Sequence, residues 1–133
     1  MAWELPLFRI GNLKAHATLA AKQFYCVKAY TTNNEVVVCD SAGEPILGVV
    51  QNKPAAGEAA DVMGLGVTKV VAAETLTAGD LWGTGAAGTA VKVEATATGA
   101  DVRSYAAGMV LEGAAVGELA TVTVGFPSGQ VSA

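Results

Sequence analysis

The chain has 133 residues, a formal net charge of −4 and 52% apolar residues, of which few are aromatic. Its eight lysines and arginines are spread singly, so the sequence lacks the clustered cations that bind nucleic acid by displacing counterions. No apolar run approaches the roughly 20 residues of a membrane-spanning helix and no basic, apolar leader is visible, so we expect a protein that is made in a cytoplasm and does not bind membranes.

The first 22 residues concentrate bulky apolar side chains and predict an N-terminal arm. Trp3, Leu5 and Leu7 alternate along it, and Phe8 and Ile10 follow. Chain ends are normally polar and frayed unless something holds them. Two arrangements are open: the segment is the first strand of its own domain, or it docks on a neighbouring subunit. These five residues are the candidate partner contacts, because large apolar anchors carry much of the energy of an interface.

Residues 23–126 are predicted to form a β domain, and residues 127–133 a C-terminal tail. Valine and threonine favour strands, and the 16 glycines favour tight turns about every ten residues. This spacing is typical of a β-barrel or a β-sandwich. The predicted strands cover residues 24–30, 35–40, 46–51, 58–63, 67–72, 81–82, 89–95, 107–112 and 118–124. The predicted fold is therefore all-β: a single compact barrel or sandwich of short antiparallel strands with an extended N-terminal arm.

One pattern occurs in both halves of this domain. Gly48-Val49-Val50 and Gly57-Glu58 in the first half match Gly108-Met109-Val110 and Gly117-Glu118 in the second. Each copy reads as a strand, a turn of small residues and a second strand, with a strand–turn–strand unit upstream. Either two similar β-meanders pack together, or the match is a coincidence in a chain dominated by alanine, glycine and valine.

The residue patterns that usually carry chemistry are weak. Residues 83–88 read GxGxxG, but the β-type sequence that follows predicts a glycine-rich turn, since a dinucleotide site needs a helix there. His16 is the only histidine and has small neighbours. Acid pairs such as Glu58 with Asp61, or Glu112 with Glu118, flank predicted turns and are interpreted as solvated charges. We expect no enzyme activity, no cofactor and no metal site.

The two cysteines are predicted to face each other. If residues 31–34 form a four-residue hairpin loop, Cys26 lies opposite Cys39. Opposed residues have Cβ atoms about 4.5–5.5 Å apart, slightly too long for a disulfide. We predict two reduced, half-buried side chains, and leave a disulfide open as the alternative.

Six segments form an ordered pattern of strands and turns over roughly residues 20–125. They are residues 21–28, 46–62, 66–72, 76–80, 108–113 and 117–119. In this order they resemble the small decoration, or cement, proteins of tailed-phage capsids. The resemblance implies a homotrimer on the outer surface of an HK97-type capsid, where it would bind the major capsid protein and stabilise the shell of the virion.

Two other classes of function are considered. One is a different structural component of a phage, such as a tail or head-fibre protein. The other is a β-domain that binds a small ligand or a carbohydrate, which would require an aromatic-lined pocket. Only Trp82, Tyr105 and the aromatic residues near Phe24 could line one.

Overall fold

A computed structural model describes residues 2–93, 103–125 and 129–132, and it confirms the all-β prediction. The described residues contain no helix. The strands are β1 (Leu5–Ile10), β2 (Lys14–Ala15), β3 (Cys26–Ala29), β4 (Glu35–Val38), β5 (Gly48–Val50), β6 (Val62–Val71), β7 (Leu81–Thr84), β8 (Ala90–Lys92), β9 (Arg103–Ala106), β10 (Gly108–Glu112), β11 (Leu119–Val124) and β12 (Gly129–Ser132).

Ten of these strands form one main sheet. Its order is β2-β4-β3-β5-β6-β11-β10-β7-β8, and β1 also pairs with β6. The β2–β4 pair is parallel and the other ladders are antiparallel. The order has two ends, at β2 and β8, so the strands make an open mixed sheet and do not close into a single barrel.

Two strands lie outside the main sheet. β9 pairs with β12 in a separate two-stranded sheet. The sequence analysis predicted neither strand: β9 follows a polar stretch, and β12 lies in the residues assigned to the C-terminal tail. Residues 94–102 lie outside the described residues; they include the end of the strand predicted at 89–95 and most of the polar loop predicted at 96–104.

The predicted arm contributes β1 and β2 to the main sheet. β1 pairs antiparallel with β6, from Leu5 opposite Val67 to Ile10 opposite Val62. β2 pairs in parallel with β4. Of the two arrangements left open by the sequence, the backbone of β1 adopts the first, a strand of its own domain. These residues therefore lie in the sheet and do not extend away from it.

β6 is the longest described strand and the centre of the sheet. The sequence predicted two strands here, broken by Gly64 and Gly66, but one strand of ten residues runs through both glycines. A Cβ added at Gly64 would lie 2.9 Å from the side chain of Ile10, so the glycine lets β1 approach closely. One edge of β6 pairs with β1, at residues 62–67. The other edge pairs with β5 at residues 62–63 and with β11 at residues 66–71.

The same strand pairing occurs twice along the chain. In residues 5–65, called repeat 1, β3 pairs with β5 and β5 pairs with β6. In residues 66–124, called repeat 2, β7 pairs with β10 and β10 pairs with β11. The registers agree, since Val50 lies opposite Val62 and Val110 lies opposite Val122. β6 serves both repeats: its first half ends repeat 1 and its second half begins repeat 2.

The start of each repeat returns to the sheet in the same way. Ala15 lies in a parallel bridge with Val36, and Ala72 lies in a parallel bridge with Ala90. In both cases the N–H of the following residue donates to the carbonyl of the bridge partner, at 3.0 Å in repeat 1 and 2.8 Å in repeat 2. In each repeat, the opening segment therefore contacts the second strand of the hairpin, β4 or β8, as well as the residues that lead into the last strand.

The turn before the last strand is also repeated, as residues 55–58 and 115–118. Its glycine has φ of 81° in both copies, a conformation that favours glycine over residues with a Cβ. Its glutamate carboxylate accepts the N–H of the first turn residue, at 2.8 Å and 3.4 Å. The glycine N–H and the glutamate carbonyl then bond to one alanine of the opening segment, Ala15 or Ala72. The acid therefore closes the turn.

Two groups of buried side chains match one to one. The seven fully or nearly buried residues of the repeat 1 core each have a counterpart in the larger core that contains repeat 2. The pairs are Ala15 and Ala72, Leu19 and Leu76, Val27 and Trp82, Val36 and Ala90, Val50 and Val110, Ala60 and Ala120, and Val62 and Val122. The sequence match therefore reflects two copies of one architecture. The alternative, a coincidence of composition, is not needed to explain it.

Gly48 and Gly108 occupy the same position in the two repeats and provide a test. A Cβ at Gly48 would lie 2.2 Å from the carbonyl oxygen of Met63, and a Cβ at Gly108 would lie 2.0 Å from that of Thr123. We expect Gly48→Ala and Gly108→Ala each to lower the free energy of unfolding by about 1–3 kcal/mol or more, because a ladder backbone must move. Urea denaturation measures the change.

Gly11→Ala is the matched control, since an added Cβ there meets no atom within 4 Å. We expect its free energy of unfolding to stay within about 0.5 kcal/mol of the unaltered protein. Equal stability of the Gly108→Ala and Gly11→Ala variants would contradict the close approach of β10 and β11.

Candidate interaction surfaces

The five predicted contact residues lie on or just before β1, but they differ in exposure. Trp3 and Phe8 expose 46% and 62% of their surface. Ile10 is partly buried and packs against the repeat 1 core. Leu5 lies opposite Val67, and Leu7 lies at the register shift between Pro6 and Phe8; the side chains of both lie outside the described part of the structure. Phe8 and Trp3 are therefore the two described anchors that a partner could reach.

The segment before β1, residues 2–4, crosses the outer face of β6 and β11. The N–H of Trp3 donates to Thr121 Oγ1 at 3.0 Å. The carboxylate of Glu4 lies 3.5 Å from Lys69 Nζ. One hydrogen bond and one ion pair thus hold this segment on repeat 2.

Three exposed apolar residues lie on β10, on β11 and in the turn between them, and we call them the repeat 2 face. Leu119 is 39% exposed and lies two residues before Thr121 in β11, so the two side chains point to the same side. Leu111 on β10 and Val116 in the adjoining turn are 40% and 65% exposed. The sequence analysis missed these residues, because apolar alternation predicts a strand but does not tell which side a partner strand will cover.

The repeat 1 groove is a depression of about 350 Å³ with charged and amide side chains among its lining residues. Its lining residues are Arg9, Ile10, Gly11, Asn12, Leu13, Lys14, Asn52, Ala59, Ala60 and Asp61. Arg9 and Asp61 form an ion pair. The Asn52 side chain donates to Ala59 O at 3.0 Å and accepts the N–H of Asp61 at 3.0 Å. Lys14 is exposed and forms no ion pair with any residue that the structure describes.

A second depression, of about 380 Å³, is apolar and open. Tyr105, Ile46 and Leu47 contribute to its walls. Trp82, which the sequence offered as a pocket aromatic, is fully buried and donates its indole N–H to Thr123 O at 2.9 Å. The aromatic cluster that a carbohydrate site would need is therefore not brought together here.

The residues considered for chemistry are engaged in structural contacts. His16 Nδ1 lies 2.7 Å from Glu35 Oε2, and its ring stacks on Tyr30 with centroids 3.7 Å apart. These contacts attach β2 to the β3–β4 hairpin. Among the described residues, no group of three or more histidine, cysteine, aspartate or glutamate side chains is placed to hold a metal ion. No helix in the described chain is long and apolar enough to cross a membrane.

The GxGxxG stretch covers the end of β7 and the turn into β8, as predicted. The carbonyl of Gly88 accepts the N–H of Cys26 at 2.7 Å. A Cβ at Gly88 would lie 2.7 Å from the Val38 side chain, and its φ is 81°. The glycine therefore brings this hairpin onto repeat 1.

Cys26 and Cys39 face each other, as the four-residue loop predicted. The N–H of Cys39 donates to Cys26 O at 3.0 Å, and both thiols are free. Both side chains are fully buried, where the sequence predicted half-burial. Burial raises the pKa of the Cys39 thiol to about 12. Burial, and then the proximity of Cys39, raises the pKa of Cys26 as well.

Thiol titration tests this burial. Because the thiolate is the nucleophile and both pKa values are raised, we expect Ellman's reagent at pH 8 to react far more slowly with the folded protein than with free cysteine. In denaturant, both thiols should react at once. Rapid reaction of both thiols in the folded protein would contradict the described packing.

Lys28, Asp40 and Glu44 form a surface cluster at the end of the β3–β4 hairpin. Lys28 Nζ lies 2.5 Å from Asp40 Oδ1 and 3.0 Å from Glu44 Oε2. The hydrogen bond from Lys28 lowers the pKa of Asp40. Partial burial acts to raise the pKa of Glu44, but the N–H of Ser41 and the Lys28 ammonium together hold it below its usual value.

The pH dependence of stability follows from these directions. Both carboxyl groups have a lower pKa in the folded state, so their contribution is complete above about pH 4.5 and is lost as the pH falls through the folded values. We expect Lys28→Met to make the decline below pH 4.5 shallower, because it reduces both pKa shifts. Thermal melts between pH 2 and 7 measure the decline; an unchanged slope in the variant would contradict this reading.

Comparison with known proteins gives a likeness in structure and none in sequence. No family model and no curated relative matches the chain. The fold is similar to the crystal structure of the head fibre gp8.5 N base of bacteriophage phi29, with a TM-score of 0.68 and 18% sequence identity. The match covers 88% of this chain and 94% of the phi29 chain. The protein therefore shares its all-β fold with the base of a phage head fibre.

Proposed function

We propose that this chain is a structural protein of a phage virion and serves as the base of a head fibre. The observation that carries the proposal is the fold likeness to the phi29 head-fibre base, with a TM-score of 0.68 over 94% of that chain. Such a broad match involves the whole β architecture and not one common hairpin.

The described side chains support a role in binding and not in catalysis. The histidine, the cysteines and the acids considered above all hold strands or turns in place. Phe8 and Trp3, in contrast, expose large apolar surface beside β1. β1 pairs with β6 along one edge, and no described strand pairs with its other edge. A free strand edge beside exposed aromatic residues suits attachment to another protein.

A second candidate function is that of a cement protein, and the order of the sequence motifs favours it. The matching segments 46–62 and 76–80 each contain a turn that is closed by an acid, and the segment 117–119 contains the acid that closes a third. In this reading a homotrimer sits on the outer surface of an HK97-type capsid and binds the major capsid protein. It would stabilise the assembled shell by mass action, and three linked contacts would raise its effective affinity.

Co-sedimentation with purified heads of the phage that carries the gene tests the shared part of both proposals. We expect the protein to pellet with heads, and Phe8→Ala to weaken binding about tenfold or more, because the variant removes an exposed aromatic anchor. Tyr105→Ala is the control, an aromatic residue on β9 that is 40% exposed. Pelleting with tails alone, or equal binding of both variants, would contradict the proposal.

Substitution is a cleaner test than removal of residues 1–10. That deletion would remove β1, the six-residue strand that pairs with β6, so we expect it to destabilise the fold itself. Loss of head binding by such a protein would not separate a contact role from a folding role.

The two candidate functions differ in what happens to heads that lack the protein. A cement protein should raise the temperature at which DNA-filled heads release their DNA, and its removal should lower that temperature. A head-fibre base should leave the release temperature unchanged. Fluorescence of a DNA dye during heating distinguishes them.

A further inference from the structure

The repeat 1 groove contains the equivalent of the site on repeat 2 where Trp3 binds Thr121. Because Val62 matches Val122, the residues before them, Asp61 and Thr121, hold the same place. Each contacts the strand that precedes the repeated turn: Asp61 N–H donates to Asn52 Oδ1 at 3.0 Å, and Thr121 Oγ1 lies 3.5 Å from Glu112 Oε2. The two sites therefore match at Asp61 and Thr121. Lys14, which lies opposite Ala59, matches Val71 opposite Leu119, so it lies next to the position that Lys69 occupies in repeat 2 and does not coincide with it.

In repeat 2, this position is covered by the chain's own N-terminal segment. The N–H of Trp3 donates to Thr121 Oγ1, and Glu4 pairs with Lys69. In repeat 1, no described segment of the chain lies over the equivalent position, where the groove of about 350 Å³ remains. The fold thus contains one site with its ligand and one matching site without it.

The groove offers the chemistry that such a segment needs. Asp61 presents a carboxylate in place of the Thr121 hydroxyl. One of its oxygens pairs with Arg9, and a carboxylate has further acceptor sites for an incoming N–H. A hydrogen bond from an N–H to a carboxylate is stronger than one to a hydroxyl. Lys14 supplies an exposed ammonium that has no ion-pair partner among the described residues. These two groups complement a main-chain N–H and an adjacent acid.

We propose that the repeat 1 groove binds the N-terminal segment, residues 2–4, of a second copy of this chain. In this contact the N–H of Trp3 donates to Asp61, and the Glu4 carboxylate pairs with Lys14. The charges are complementary, and the equivalent site on repeat 2 already holds the same segment. Release from repeat 2 gives up one hydrogen bond and one ion pair, and the Trp3 side chain is already 46% exposed there.

The short segment dictates how the two copies meet. The four residues before β1 span at most about 14 Å when fully extended. The groove of the second copy must therefore approach the repeat 2 face from which the segment leaves. This approach would cover Leu111, Val116 and Leu119, which are exposed in the single chain.

Such an interface joins two different surfaces of the chain, the groove and the N-terminal segment. A contact of this kind repeats from copy to copy and closes into a ring when the rotation permits. It gives a route to the homotrimer of the second candidate function, so the inference rests on that self-association and not on head binding.

A charge-exchange experiment tests the contact. Light scattering gives the mass in solution, and we expect a trimer for the unaltered protein. Lys14→Glu and Glu4→Lys should each weaken association roughly tenfold or more, because each places like charges together. The double variant should restore the trimer. Glu4→Lys also places two ammonium groups together at Lys69 on repeat 2, so its effect alone does not identify the groove. Restoration of the trimer by the added Lys14→Glu does identify it, because that change lies in the groove.

Two controls isolate the groove. Lys53→Glu changes an exposed lysine of the same repeat that does not line the groove, and we expect it to leave the trimer intact. Lys69→Ala removes only the contact within one chain and should also leave the trimer intact. Circular dichroism melts confirm that each variant is folded.

The outcomes separate this inference from the proposed function. A trimer that persists in both single variants overturns the groove contact and leaves the proposed homotrimer standing. A monomeric unaltered protein overturns both. Failure to pellet with heads, together with a trimer that responds to charge exchange, contradicts the head role alone.

Discussion

Backbone pairing along β6 is the interaction on which the rest of this structure depends. Its ten residues bond to β1 on one edge and to β5 and β11 on the other. The first half completes one repeat and the second half opens the next, so both cores are built against the same strand. A central strand can be shared in this way only if close neighbours are tolerated on both edges, which explains glycine at position 64, where the Ile10 side chain approaches.

The acid-closed turns then determine where each repeat ends. Glu58 and Glu118 bond to the first N–H of their turns, while their carbonyls bond to Ala15 and Ala72. Local turn chemistry and long-range pairing thus coincide in one short motif. The same residues that make the sequence motifs recognisable are used for folding, so those motifs predict architecture better than they predict a partner.

The sequence predicted β3, β4, β5, β7, β8, β10 and β11 and the pairing of Cys26 with Cys39, because turn residues and alternation act locally. It left β1 open between two arrangements and did not predict β2. It did not predict that β6 is continuous, since glycine usually weakens a strand and here admits a close neighbour. It also placed Ile10 among the partner contacts, although this side chain packs on the repeat 1 core. The exposed surface at Leu111 and Leu119 depends on strand order, and that order is set by contacts distant in sequence.

A strand common to both halves has a consequence for how the molecule loses its structure. Neither half has all of its strand pairs without β6, so unfolding of one half removes a paired strand from the other. Two-repeat proteins with separate units can open one unit at a time. In this chain the halves should instead melt together in one sharp transition, which keeps partly opened forms rare.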